Sequence, residues 1–549
     1  MKNLKKLVAI LLAVVMVMSF FIGCNKKDKA NKDNKTTTGD NTTKQPEDPL
    51  KEHVEISLAY WGAGQALPED VKEDAVRDAL YKKLNITLKP VNLTWDDYRQ
   101  KIQIWAASSQ LPDLFAIDAI STPNYEKWIT EGIVHELPNN FSAYPSLKEI
   151  MDQPDIQAFR YPLADPNGKF YCIPRPTYPN ADMWANDLTV LMRKDWMENV
   201  GITKQPENMD EFITLMKAFV ENDPDKNGKK DTVGLTAYSA SWLTALMLSY
   251  EPGVATGANY WVRDEKSGGW LPGFMTENCL EGLKELKRLY DSGGLDKDFA
   301  TIKGTEGQDK FVTGRAGAYA HTGYPTTLSA LNNKFVKTFP DFKFDEAVTY
   351  LKPWSAADGN KYRLVAPTPW SESYINAKAD DVKVDRILRL FDYLFSEEGF
   401  NLIRLGIEGT DWKKDGDKIV ITREKNESGS YDPLNKKYPI TGLGSLSSWA
   451  QDFSYKNPAV PEGILKMGNE ELDWRIKNCK PINTDLRAGF IDYASKDKHV
   501  EQFADDMVKA ILSDDVEKTW NQIIKEHRAN GYDEVIKDFN AKAAELGIK

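Results

Sequence analysis

Leu7 to Ile22 is an almost unbroken apolar run behind Lys2, Lys5 and Lys6. From Asn25 to Pro49 the pattern inverts, with Ala30 the lone hydrophobic side chain among Lys, Asp, Asn, Thr and Gly. Such a stretch buries too little surface to offset the entropy of ordering it, so a flexible stalk is expected. Val54 to Trp61 then alternates as a strand and runs into Gly62-Ala63-Gly64, a turn signal. Pro68, followed by Glu69 and Asp70, marks a helix start, with Val76, Leu80 and Leu84 on one face. Ile86 to Leu88 is a second strand; Tyr98, Ile102 and Trp105 mark a second helix; Leu114 to Ile117 is a third strand ending at Asp118. Strands alternating with helices predict a largely parallel α/β sheet.

Tyr171 to Pro176 is proline-broken and extended, which suits a crossing between lobes, and Leu188 to Met192 resumes as strand. Met209 to Val220 is a helix whose stripe Phe212, Leu215, Met216 and Phe219 belongs to a core. Leu280 to Tyr290 is another, closing at Gly293-Gly294. Phe311 to Tyr319 turns into a strand that reaches His321 and Tyr324-Pro325, and Leu364 to Ala366 is a strand running to Trp370. A long helix begins near Asp380, is interrupted at Ser396 to Gly399, and ends at Gly406. Ile407 to Trp412 is a tight connector, Lys418 to Ile421 a short strand, and Trp449 follows a Ser/Gly-rich stretch, Gly442 to Ser448, where a packed core tryptophan is unexpected. The last fifty residues carry three helical stripes: Val500, Phe503, Met507, Ile511; Val516, Trp520, Ile523; and Val535, Ile536, Phe539, Leu546.

At 549 residues the chain exceeds what one hydrophobic core organises, so two lobes are expected. A formal net charge of −11 argues against a nucleic-acid partner, whose phosphates need a basic surface. The first apolar run is shorter than the roughly 20 residues of a spanning helix and fits an export signal; no later run approaches that length. Beyond Cys24, Cys172, Cys279 and Cys479 lie far apart with no metal-ligand spacing, and read as small buried hydrophobes with one disulfide allowed. Of five histidines, His321 alone falls near a site, and a structural role suits it better.

The chain has no P-loop, no G-x-S-x-G, no H-E-x-x-H and no paired-cysteine metal motif. Two carboxylates placed across a bond would suffice for a glycan-cleaving enzyme, and spacing leaves that reading open. Fifteen tryptophans and 23 tyrosines, many beside Gly, Pro, Ser or Asn, suit stacking on sugar rings, although most tryptophans are packed in cores. Ligands of α/β sheets gather beyond the carboxyl ends of the strands, which makes Trp61 and Asp118 site candidates. Asp223, Asp225, Asn227, the Lys229 carbonyl and Asp231 take positions 1, 3, 5, 7 and 9 of a calcium loop of EF-hand type, with Gly228 at the sharp turn. Position 12 is Gly234, where the motif would place a bidentate Glu; a solvated turn is the alternative.

Phe21-Ile22-Gly23-Cys24 resembles a bacterial lipoprotein signal, in which the chain is cleaved before a cysteine that is then acylated; Phe21 and Ile22 depart from its usual residues. Ala106-Ala107-Ser108-Ser109-Gln110-Leu111-Pro112-Asp113, the Asp223 to Asp231 loop, Phe311-Val312-Thr313-Gly314-Arg315-Ala316, and Glu397-Glu398-Gly399 followed by Gly406 to Trp412 resemble one family. It is the lipoprotein solute-binding proteins of oligosaccharide ABC importers of Gram-positive bacteria, and the calcium-carrying periplasmic alginate-binding proteins are similar. The resemblance implies a monomer of the two-lobed α/β fold of type II periplasmic binding proteins, closing about a hinge. It implies a signal over 1–24 with Cys24 lipidated (palmitate), a stalk over 25–53, one lobe from 54–175 plus 347–412, and a second from 176–346 plus 413–549. Structural Ca2+ at 223–231 is implied too. So are an extracellular position on the cell membrane, delivery of an oligosaccharide to two permease subunits driven by a cytoplasmic ATPase, and no chemistry on the ligand. Hinge closure would bring Trp61, Asp118, Tyr324, Trp370 and Trp449 onto the sugar, with Trp412 nearby, and Arg175, Arg315 and Arg363 could pair with uronate carboxylates or be structural. A secreted glycan-cleaving enzyme and a surface carbohydrate-binding protein without a transporter are the competing readings.

Overall fold

The structure is a computed structural model that describes residues 48–549 except 121, 164, 166, 258–259, 265, 303–304, 417, 426–430, 483–484, 492, 497–501 and 549. The signal segment, Cys24, the stalk up to residue 47 and Val500 lie outside the described residues. The chain divides into Met1–Pro49 and Leu50–Lys549, and every element below belongs to the second unit.

In chain order the strands of the two main sheets are β1 (Val54–Ala59), β2 (Ile86–Pro90), β3 (Leu114–Ile117), β4 (Ile173–Pro176), β5 (Thr189–Arg193), β6 (Val233–Ala237), β7 (Ala316–His321), β8 (Val348–Tyr350) and β9 (Pro369–Ile375), with two-stranded ribbons elsewhere, one of them formed by Trp412–Asp415 and Lys418–Ile421. They form two sheets, ordered β2-β1-β3-β9-β4 and β8-β5-β7-β6. In the first, β1 runs parallel to β2 and β3, as βαβ alternation demands, while β9 returns antiparallel between β3 and β4. In the second, β6 and β7 are parallel and β5 opposes both β7 and β8.

The helix expected from Pro68, α1 (Ala75–Leu84), starts later than that proline. Its cap decides this: Asp74 accepts from the Arg77 N–H at 2.9 Å and from the Ile440 N–H at 3.0 Å, pairing donors that would otherwise be orphaned. Val76, Leu80 and Leu84 bury the expected face. Near residue 396 one serine does two jobs, ending α2 (Asp381–Phe395) and capping α3 (Glu397–Leu405) by accepting from Gly399 N–H.

β9 is absent from the sequence reading, which put a strand at Leu364 to Ala366. Its middle, Ser371-Glu372-Ser373, is polar yet buried, so the apolar alternation that betrays a strand is missing. Glu372 is accommodated because the N–H groups of Ala119 and Ile120 and the Tyr374 hydroxyl all donate to its Oε1, at 2.5, 2.7 and 2.8 Å. Pro369 stands first in the strand, where a missing N–H costs least.

Two lobe boundaries differ from the expectation. The chain does not rejoin the first lobe at 347, because Val348 to Tyr350 pairs with Arg193 to Leu191 in the second sheet; it rejoins at Pro369. Nor does it leave at 412, since Ile440, Leu443 and Leu446 are fully buried in the first core beside Tyr60 and Leu388. Burying each such side chain contributes about 1.5–3 kcal/mol. Gly442 permits this docking, since a Cβ there would meet the Ala66 Cβ at 3.2 Å.

Three segments cross between the lobes side by side. Thr177 N–H donates to Thr368 O at 2.8 Å, and on the other flank Trp449 N–H donates to Pro176 O and Gln451 N–H to Thr177 O, both at 3.1 Å. The second core is closed by Phe503–Leu512, Val516–His527 and Asp533–Glu545, through Phe503, Met507, Ile511, Trp520 and Val535, with Phe539 in an adjoining cluster. Cys172, Cys279 and Cys479 are buried and free. No helix among the described residues is long and apolar enough to cross a membrane.

Candidate ligand-binding site

The carboxyl ends of β1, β2, β3 and β4 and the first residues of antiparallel β9 lie along one edge of the first sheet. Trp61 follows β1, Trp95 follows β2, Asp118 follows β3, Arg175 is next to last in β4 and Trp370 is second in β9. Trp449 joins them from the third crossing segment, held there by its own backbone bond to Pro176. Trp61 is central: its ring lies 5.2 Å from Trp95, 5.0 Å from Tyr98, 6.1 Å from Trp370 and 6.3 Å from Trp449. Trp61 and Trp449 are near parallel, 15° apart, and Trp95 stacks on Trp370 at 5.5 Å. Trp95 and Trp370 keep 49% and 38% of their surface exposed, which large aromatics in a settled core do not do.

Beneath the rings lies Arg175, 1% exposed. Its guanidinium carbon is 4.2 Å from the Trp61 ring, 4.6 Å from Trp449 and 5.4 Å from Trp370. Burial lowers its pKa to about 9, partly offset by Glu372, so it remains a cation at pH 7. Asp118 is already engaged: Tyr98 Oη donates to it at 3.0 Å, and Arg99 clamps it through Nε at 2.9 Å and Nη2 at 2.6 Å.

The corresponding edge of the second sheet carries a second aromatic group. His321 ends β7 with its ring 4.7 Å from both Tyr238, which follows β6, and Trp242. Burial lowers the imidazole pKa to about 4, so it is neutral at pH 7. The Thr322 hydroxyl lies 3.3 Å from His321 Nδ1.

The candidates from sequence therefore separate. Trp61, Trp370 and Trp449 share one cluster, and Asp118 touches it through Tyr98. Tyr324 is half-buried at the start of Pro325–Thr338, packed with Tyr178, Ala185 and Tyr455. Trp412 lies in another cluster, 3% exposed among Leu405, Ile421, Ala450 and Phe453, its indole N–H donating to Gly406 O at 3.0 Å. A cavity of about 920 Å³ beside it is lined by side chains that pair with one another, Lys83 with Glu398 and Lys414 with Glu397. Arg315 is exposed, and Arg363 is buried with Nη2 on Asp182 at 2.8 Å. Trp95, Tyr98, Arg99, Tyr238 and Trp242 were not singled out. The strand-end rule that selected Trp61 would have found Trp95 had β2 been carried past Leu88 to Pro90.

The Asp223 to Asp231 loop is turned by left-handed residues, Asp223, Lys226 and Gly228 at φ +48°, +58° and +77°. Asp223 accepts the N–H groups of Asn227 and Gly228, both at 3.0 Å. The Asn227 amide bridges Asp225 and Asp231, at 2.7 and 3.1 Å. Asp225 Oδ1 is buried with no partner, and its pKa is raised by burial and by crowding from Asp223 and Asp231. Among the described residues no three His, Cys, Asp or Glu side chains stand in a ready metal cage.

Residues 59–399 match the family of bacterial extracellular solute-binding proteins. The chain is 25% identical over 478 residues to the polygalacturonan/rhamnogalacturonan-binding protein YtcQ of Bacillus subtilis (strain 168), spanning 84% of this chain and 87% of that one. It is 26% identical over 358 residues to lipoprotein LipO of the same organism, 62% of this chain and 64% of LipO. Among solved structures it resembles the ABC-transporter substrate-binding protein FusA of Streptococcus pneumoniae in complex with kestose, with TM-score 0.66 and 16% identity over 90% of this chain and 99% of FusA. It also resembles the alginate-binding protein AlgQ2 without calcium ion, with TM-score 0.64 and 19% identity over 90% and 98%. Both are two-lobed solute-binding proteins, and the likeness establishes the fold. The chain belongs to the bacterial extracellular solute-binding protein family, whose members bind and deliver solutes rather than transform them.

Proposed function

We propose that the protein captures an oligosaccharide between its lobes and hands it to the membrane subunits of an ABC importer. The observation that carries this reading is the partly exposed cluster of Trp61, Trp95, Trp370 and Trp449 at the carboxyl edge of the first sheet. Indole faces match the apolar faces of sugar rings, and the neighbouring Asp118, Arg99 and Arg175 supply polar partners. YtcQ and FusA, by their names, bind saccharides, which supports the same class of ligand. Titration with an oligosaccharide panel should change tryptophan fluorescence with micromolar-scale affinity, about −8 kcal/mol. The sugars should be recovered intact; accumulation of shorter fragments would turn the reading to a glycan-cleaving enzyme.

Two further features complete the proposal. Cys24 carries a lipid and tethers the body to the outer face of the cell membrane through the stalk, a reading supported by Gly23-Cys24 and by the lipoprotein name of LipO. Cys24→Ala should move the protein out of the membrane fraction or leave it unprocessed; a processed, membrane-bound variant would refute the anchor. A structural Ca2+ sits in the Asp223 to Asp231 loop. The crowded carboxylates and the unpartnered Asp225 Oδ1 fit a hard cation, with Asp223, Asp225, Asn227, Asp231 and the Lys229 carbonyl as the oxygen donors.

A further inference from the structure

Arg175 is buried without the partners a buried guanidinium requires. Only Nη1 is engaged, donating to Ser445 O at 2.8 Å, while Nε and Nη2 are shielded from solvent and have no hydrogen-bond acceptor. An unsatisfied buried donor on a charged group costs more than an ordinary lost hydrogen bond, so such an edge marks a place completed by something else. Cation–π contact with three indoles offsets part of the charge but satisfies neither N–H direction.

The identity of the free edge indicates the missing group. Nε and Nη2 form the side of the fork that takes a carboxylate bidentately. Elsewhere this chain uses that edge in the same way: Arg99 on Asp118, Arg193 on Asp195 and Arg487 on Asp485 each engage a carboxylate through Nε and Nη2. At Arg175 no described carboxylate of the chain takes that place. Asp118 is held by Arg99 and Tyr98, and Glu372 Oε1 receives the Ala119 and Ile120 N–H groups and Tyr374. The cleft floor therefore carries a cation whose carboxylate partner must come from outside.

We propose that the Nε/Nη2 edge of Arg175 receives the carboxylate of a uronic-acid residue, so that the ligand is an acidic oligosaccharide. This rests on the oligosaccharide reading of the same cluster and names its charge and the residue that reads it. Of the three indoles on the guanidinium, the exposed one, Trp370, is the ring that must move aside, and the sugar ring bearing the carboxylate then lies against Trp61 or Trp449.

The test uses the whole protein and three probes: trigalacturonate, its methyl ester, and the neutral trisaccharide kestose. Wild type should bind trigalacturonate at least about tenfold more tightly than the ester, which keeps the ring and loses the charge. Arg175→Lys and Arg175→Gln should each reduce that preference to within about threefold, the lysine variant because a point charge cannot reproduce the fork. Equal affinity of wild type for acid and ester, or binding of kestose alone, would overturn the acidic-ligand proposal and leave oligosaccharide capture standing. Variants that fold and keep the full preference would overturn Arg175 as its reader. Failure of wild type to bind any of these or any other oligosaccharide would remove both readings. The wild-type comparison of acid with ester decides the question of charge even if neither variant folds.

Discussion

The two sheet edges present aromatic surfaces of opposite character. On the first, three tryptophans lie over a buried cation and a fourth, Trp95, stacks on one of them, with Trp95 and Trp370 strongly exposed and an Asp118–Arg99 pair alongside. On the second, Tyr238 and Trp242 flank a neutral imidazole beside the Thr322 hydroxyl. The first surface holds unmet bonding capacity: bare indole area and a free guanidinium edge. The second offers an uncharged aromatic face around a neutral imidazole. Under the proposed reading the lobes divide the labour, in that the first would supply affinity and charge selectivity and the second a surface to close against.

The largest expected effect comes from breaking the first surface. Trp61→Ala should weaken oligosaccharide binding by about 3 kcal/mol, as expected for a central aromatic anchor that also covers Arg175. Titration calorimetry on the refolded variant checks it. A loss under about 0.5 kcal/mol would place the binding energy elsewhere and erase the contrast between the lobes.

Calcium sharpens the contrast from the other side, since the Asp223 to Asp231 loop belongs to the second lobe. Ca2+ at a hundredfold excess over its dissociation constant should stabilise the fold by about 2.7 kcal/mol, visible as a fall in melting temperature on chelation. Asp225→Ala should abolish that response while sugar affinity, measured well below the melting range, stays unchanged. A chelation-insensitive wild type would make the loop a plain turn.

Acid should then act on the second surface. His321 has its pKa lowered to about 4 by burial, below the ordinary value of about 6.5, so the folded protein holds it neutral. Between those values the unfolded chain binds the proton and the folded chain does not. Stability is thus fully present above about pH 6.5 and falls as the pH drops towards 4, by about 2 kcal/mol between pH 7 and 5. His321→Gln should flatten that part of the pH–stability curve relative to wild type; superimposable curves would mean the imidazole is solvated.

The β-α alternation of the first 120 residues was legible because its strands are apolar and its helices carry clean stripes, such as Val76, Leu80 and Leu84. β9 was not, because its buried positions are Ser371, Glu372 and Ser373, whose burial is tolerated only through partners contributed from residues 119 and 120. The same distance in sequence hid the lobe boundaries: nothing local to Ile440 says that it docks under Asp74. Of the candidate site, Trp61, Trp370 and Trp449 were named by position relative to strands and loops, and the structure brings their rings together. The free edge of Arg175 could not be, since an unsatisfied donor is a property of everything that fails to reach it.

Trp412 provides the smallest and most selective test of the contrast. It was a candidate ligand contact, yet its ring is enclosed by Leu405, Ile421, Ala450 and Phe453 and its N–H is spent on Gly406 O, the carbonyl that ends α3. The neighbouring Asp411 locks the same turn by accepting from the Ile407 N–H at 2.8 Å and from Lys437 at 2.7 Å. Trp412→Phe keeps most of the packing and deletes one hydrogen bond, so stability should fall by about 1 kcal/mol. Sugar affinity should not change. The phenylalanine matters, because Ala450 packs on the Trp412 ring and directly follows Trp449, so a truncation to alanine could disturb the cluster by collapse. If Trp412→Phe lost affinity with stability intact, the ligand would reach beyond the first aromatic surface to the connector after α3, and the cleft would be longer than the four tryptophans define.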